Sequence, residues 1–146
     1  MEDATRDYYL LIFWASSGAI QVAVSLGRLK GLLLLRNFWA SGIFGVVLII
    51  SAFTWYFATG PRNIGDTEGG LDANDQASIF AIGSLAGVIV TLIASSLVNL
   101  RMKGKPHGPD MGLEALKHTN YFTALVNSLR YWWKRYQEQT QKPSSG

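Results

Sequence analysis

Apolar and charged positions are segregated along this chain. Three long stretches, Tyr8 to Leu26, Phe38 to Thr59 and Ala77 to Asn99, contain no Asp, Glu, Lys, Arg or His. A hydrocarbon core of about 30 Å needs roughly 20 apolar residues in helix, at about 1.5 Å each, so each stretch can cross a bilayer and satisfy its own backbone hydrogen bonds. The pattern predicts an all-α membrane protein with three transmembrane helices over 8–26, 38–59 and 77–100. An acidic N-terminus (1–7), a basic hairpin (27–37), an acidic loop (60–76) and a long tail complete the chain.

Composition changes little by itself. A hydrophobic fraction of 49% is close to a soluble average. Clustering decides the class, because a soluble domain would interleave its apolar residues with charges at helix or strand period. The absence of cysteine removes disulfides, iron–sulfur ligation and thiol nucleophiles. The first span reads as mature structure, since the leader before it is net acidic and its apolar run is longer than that of a signal peptide.

Charge sets the expected orientation. Of the 13 Lys and Arg residues, 11 lie in the 27–37 hairpin (Arg28, Lys30, Arg36) or after the third span, while Arg6 and Arg62 share the other side with Glu2, Asp3, Asp7, Asp66, Glu68, Asp72 and Asp75. The positive-inside rule then places the N-terminus outside and the C-terminus in the cytoplasm, in a bacterial or archaeal cytoplasmic membrane. Tyr8, Tyr9, Trp14, Trp55 and Tyr56 near one boundary and Trp39 near the other suit aromatic belts. In the hairpin, the leucines are expected at the lipid boundary while Arg28, Lys30 and Arg36 reach head groups.

Small residues recur every four positions: Ala15, Ala19, Ala23 and Gly27 in the first span, and Gly83, Gly87, Thr91, Ser95 and Asn99 in the third. Such a stripe stays on one helix face and lets another backbone approach, either within the protomer or from another membrane subunit. Gln21 lies near mid-span, where an unsatisfied amide costs a few kcal/mol, so it needs a partner. Helix glue is the expected role of Gln21 and Asn99, ahead of ligand binding. Asp75 is placed to cap the third span, and Pro61 to end the second. The carboxylates of the acidic loop lack the spacing of a calcium loop, and a solvated connector is expected there.

The tail divides into a Pro- and Gly-broken basic linker (101–111), a helix over 112–138 that Asp110 could cap, and a polar end (139–146) expected to be disordered. On a helical projection Tyr121, Phe122, Leu125, Val126, Leu129, Trp132, Trp133 and Tyr136 gather on one side, with Arg130, Lys134 and Arg135 on the other or its margins. This aromatic, basic amphipathic helix is expected to dock on the membrane surface or on a partner subunit; the aromatics do not alternate with cations as a nucleic-acid stacking platform requires. Arg101, Lys103 and Lys105 join the other cations as head-group contacts.

No residue set points to catalysis. Every Asp, Glu, Lys, Arg and His lies in a loop or tail, and neither His107 nor His118 is in a span to ligate a pigment or haem. No cofactor is expected from the residues, although a lipid, quinone or pigment in a groove shared with a partner is compatible with them. The expectation is a non-catalytic accessory subunit of a larger membrane complex. The alternative is a self-assembling membrane-active protein or lipid-binding scaffold. The layout is similar to that of phage holins of the three-span kind, which are short, N-out and C-in with a basic tail. That resemblance is architectural and implies a homo-oligomeric pore former.

Overall fold

The computed structural model describes residues 2–58, 72–100 and 112–140. Among these it contains four α-helices, α1 (Glu2–Leu26), α2 (Phe38–Ala58), α3 (Ala73–Val98) and α4 (Tyr121–Thr140), with short 3₁₀ segments at Lys30–Leu32 and Gly112–Lys117. The stretches Ala4–Leu26, Phe38–Ala58 and Ala73–Val98 are long and apolar enough to cross a membrane. The acidic-loop residues, Pro61, the 101–111 linker, Asp110 and the polar end fall mostly or wholly outside the described residues.

Two spans are longer than their apolar runs. Helix α1 starts at Glu2 and carries Arg6 and Asp7, which approach to 3.7 Å, because no glycine or proline in that segment stops the helix once it leaves the apolar region. Helix α3 starts at Ala73, so Asp75 lies inside its first turn and Asp72 takes the capping position, without a side-chain cap bond. Asp75 is therefore not the cap expected from the sequence, though its carboxylate still sits near the positive end of the helix dipole.

Helix α1 packs against both α2 and α3, which scarcely touch each other. The α1–α2 crossing is made by two glycines: a Cβ on Gly18 would stand 2.6 Å from the Gly45 carbonyl oxygen, and one on Gly45 2.5 Å from that of Gly18. On the other side, a Cβ on Gly83 would lie 3.2 Å from Ile12 Cβ, and one on Gly87 would lie 2.9 Å from the Phe13 carbonyl oxygen and 3.1 Å from Ser16 Cβ. Ser16 and Gly18 are two residues apart, about 200° around a helix, which is why α2 and α3 flank α1. Leu11, Ala52 and Tyr56 form a small core at the α1 N-terminal end, with Tyr8 stacked obliquely on Tyr56 at 6.4 Å.

At its other end α1 closes with a Schellman motif: the Leu29 N–H reaches the Val24 carbonyl (3.1 Å) and the Arg28 N–H that of Ser25 (3.2 Å). The left-handed residue of that motif is Arg28, with φ 53°, one position after the glycine that would adopt it freely. The turn sends the chain back toward the bundle. Val24, Leu32, Leu33, Leu116 and Ala124 then meet in a second core, backed by Ile20, Phe38 and Leu92.

The tail is not one helix from 112. The 3₁₀ turns end where the Thr119 hydroxyl and N–H both bond the Ala115 carbonyl (2.8 and 2.9 Å). Asn120 opens α4 as its N-cap, its Oδ1 accepting the Thr123 N–H at 2.8 Å. Threonine and asparagine compete with continued helix through such local bonds.

Candidate functional site

The most elaborated part of the molecule is the end where α1 turns into α2. Gln21 is fully buried there. Its Oε1 accepts from the Leu34 N–H (3.1 Å) and the Ser41 hydroxyl (2.7 Å), and its Nε2 donates to the Leu32 carbonyl (3.4 Å). One amide from α1 thus binds the backbone of the hairpin and the first turns of α2. Ser25 adds a bond from its hydroxyl to the Phe38 carbonyl at 2.7 Å.

Asn99, at the end of α3, holds the same hairpin from the other side. Its Nδ2 donates to the Leu33 carbonyl (2.7 Å) and the Ser95 carbonyl (2.8 Å), with that of Gly31 at 3.5 Å. The start of α4 joins through Asn120 Nδ2, 3.5 Å from the Asn99 carbonyl oxygen. Gly31 meets the backbone of Thr119 so closely that a Cβ would overlap its carbonyl oxygen. Thr119 and Asn120 are buried, and so is Ser96, whose hydroxyl has no partner among the described residues.

This arrangement corrects one expectation. Leu32 and Leu33 are buried inside the protein, 6% and 2% exposed, and are not lipid-boundary residues; Leu34 is half-buried and Leu35 exposed. The hairpin backbone leaves regular helix at Gly27, and side-chain amides from two spans supply partners that backbone would otherwise lack. Arg28, Lys30 and Arg36 are exposed around it.

The chain matches no known family model, no curated protein and no solved structure.

The remaining sequence candidates are distributed as follows. Gly83, Gly87, Thr91 and Ser95 are buried. Ala15 is half-buried and Ala19, Ala23 and Gly27 are exposed, so that stripe lies on the open side of α1. In α4, Tyr121 is half-buried, whereas Phe122, Leu125, Leu129, Trp132, Trp133 and Tyr136 are exposed, as are Arg130, Lys134 and Arg135. Arg101, Lys103 and Lys105 lie outside the described residues. Sequence reasoning missed Gly18, Gly31, Gly45, Ser41, Thr119 and Asn120. Only Asn120 carried a local signal, as an Asn directly before a run with apolar period.

Two apolar grooves line the α1–α2 seam. One, of about 300 Å³, is bounded by Leu10, Trp14, Leu48, Ala52 and Trp55. The other, of about 320 Å³, is bounded by Val22, Leu26, Trp39, Ile43 and Val46. Among the described residues no group of three or more His, Asp or Glu could hold a metal ion. The chemistry that this end performs is backbone capture: amides from α1 and from the end of α3 fix an irregular segment, and the Ser25 and Ser41 hydroxyls bond beside them.

Proposed function

We propose that the protein is a non-catalytic structural subunit of a larger membrane complex, embedded through α1, α2 and α3 with its N-terminus outside and its C-terminal tail in the cytoplasm. One observation carries the reading. Gln21, Ser25 and Asn99 turn their polar atoms onto the chain's own backbone and Ser41 bonds the Gln21 amide, while large apolar side chains such as Ile43, Phe57, Phe80, Ile82 and Leu85 stand exposed on α2 and α3. The spans' polar groups serve assembly of the chain and its outer surface is apolar, which suits packing in a membrane.

The open stripe Ala15, Ala19, Ala23 and Gly27 supports a protein neighbour beside lipid, since small side chains in line let a second helix approach closely. Orientation rests on the excess of Lys and Arg in the hairpin and tail. The test is extraction in mild detergent, affinity purification through the C-terminus and native mass determination. Stoichiometric larger membrane subunits in the purified species are the expected result. A homo-oligomer alone, able to permeabilise vesicles, would overturn this reading in favour of a self-assembling pore former.

A further inference from the structure

Among the described residues, helix α4 meets the rest of the protein along one edge. Ala124 is its buried residue, Tyr121 and Ser128 are half-buried, and every described side chain from Leu129 onward is exposed. At about 100° per residue, Phe122, Leu125, Val126, Leu129, Trp132, Trp133 and Tyr136 form one sector whose centre lies roughly 140° from Ala124. Among the described residues the helix thus turns its large apolar side chains outward, with Leu129, Trp132 and Trp133 each more than 60% exposed.

Two features point to what covers that sector. Arg130 borders it, about 100° from its centre, and Arg135 and Lys134 lie about 120° and 140° from that centre on either side, against the single acid Glu138, so the helix pairs an apolar strip with cations on the remaining faces, whose long side chains can reach toward it. Its first turn is also tied to the end of α3 through Asn120 and Asn99, at the level where a span that stops at Val98 would leave the hydrocarbon. A helix held at that level, with indoles on one face and guanidinium and ammonium groups beside them, is complementary to a surface with an apolar interior and anionic head groups.

We propose that α4 is a docking element for the anionic phospholipid surface of the leaflet at the hairpin end, with Leu129, Trp132 and Trp133 at acyl-chain boundary depth and Arg130, Lys134 and Arg135 on phosphate. The proposal deepens, and rests on, the reading of α1 to α3 as membrane spans. The tether makes docking intramolecular, so a weakly binding helix is kept at the surface at high effective concentration.

The chain has no cysteine, so single labels can be placed in the full-length protein. Spin labels on Leu129→Cys and on Asn127→Cys, on the opposite side of α4, are compared in nanodiscs of phosphatidylcholine alone and of phosphatidylcholine mixed with phosphatidylglycerol. A label on Val47→Cys in α2 reports span insertion independently. Expected in the mixed bilayer is a Leu129 label accessible to oxygen and shielded from a water-soluble nickel chelate, with the Asn127 label open to the chelate. The combined Arg130→Gln, Lys134→Gln and Arg135→Gln variant should reopen Leu129 to the chelate, because each cation near an anionic surface multiplies the docked population roughly fivefold.

Chelate access at Leu129 in the mixed bilayer, with Val47 at lipid depth, would overturn the docking proposal alone. Shielding of Leu129 from both oxygen and chelate would overturn it in favour of a protein occupant, and equal shielding in both bilayers or in the charge variant would remove the anionic preference. Chelate access at both Leu129 and Val47 would overturn the membrane reading beneath it.

Discussion

The 29–34 hairpin and helix α4 leave the same end of the molecule, and both combine leucine with basic residues, yet they are treated in opposite ways. The hairpin turns its leucines into the protein: Leu32 and Leu33 are buried against Val24, Leu116 and Ala124, and the carbonyls and N–H groups beside them are taken by Gln21 and Asn99. Helix α4 satisfies its own backbone and leaves its leucines and tryptophans outside. The difference follows from who supplies backbone partners. An irregular segment in an apolar setting must be buried where side chains can bond it, whereas a helix is free to expose whatever face it has.

The contrast breaks most sharply at Gly31. A Gly31→Val side chain would collide with the Thr119 backbone, and overpacking against backbone should cost about 3 kcal/mol and undock residues 114–123, read as lowered thermal stability in detergent and faster amide exchange there. Gln21→Leu is the next largest. It leaves the Leu34 N–H, the Leu32 carbonyl and the Ser41 hydroxyl without their partner, for a loss of about 2 kcal/mol. Asn99→Leu acts on the same hairpin, so a double-mutant cycle between the two should show coupling of about 1 kcal/mol rather than additivity.

Smaller changes sharpen the comparison. Arg28→Gly should raise stability by about 0.5–1 kcal/mol by relieving a left-handed non-glycine residue, while lowering the fraction in the proposed N-out orientation, as measured by tag accessibility, because a basic hairpin charge is lost. Replacing Trp132 and Trp133 by serine should leave thermal stability within about 0.5 kcal/mol, since both side chains stand clear of the protein. A large loss from the tryptophans would mean that α4 is held in the fold as firmly as the hairpin.

The three long apolar helices were legible in the sequence because a charge-free stretch of that length has few other fates. Their faces were not. Ala15, Ala19, Ala23 and Gly27 and the Gly83 to Ser95 series have the same four-residue period, yet the second is buried and the first largely exposed; helix α1 uses Gly18, which has no four-residue companion of its own kind, because Gly45 faces it. Period records which side chains share a face, and the identity of the opposing face is set by tertiary packing. Burial of Gln21 required a partner, but nothing local distinguished the hairpin backbone from a neighbouring helix. Leucines next to Arg36 matched a lipid boundary as well as they matched a core. The break at Thr119 and Asn120 was hidden by an apolar period that crosses it.

The direct test of the account is the exchange rate of the Leu34 amide in the protein held in a bilayer nanodisc. Capture of that N–H by Gln21 Oε1 predicts slow exchange in the native chain and a large acceleration in Gln21→Leu, with the mid-span amides of α2 unchanged. Fast exchange at Leu34 in the native protein, insensitive to Gln21, would return the hairpin to the lipid boundary and contradict the capture of its backbone by Gln21 and Asn99.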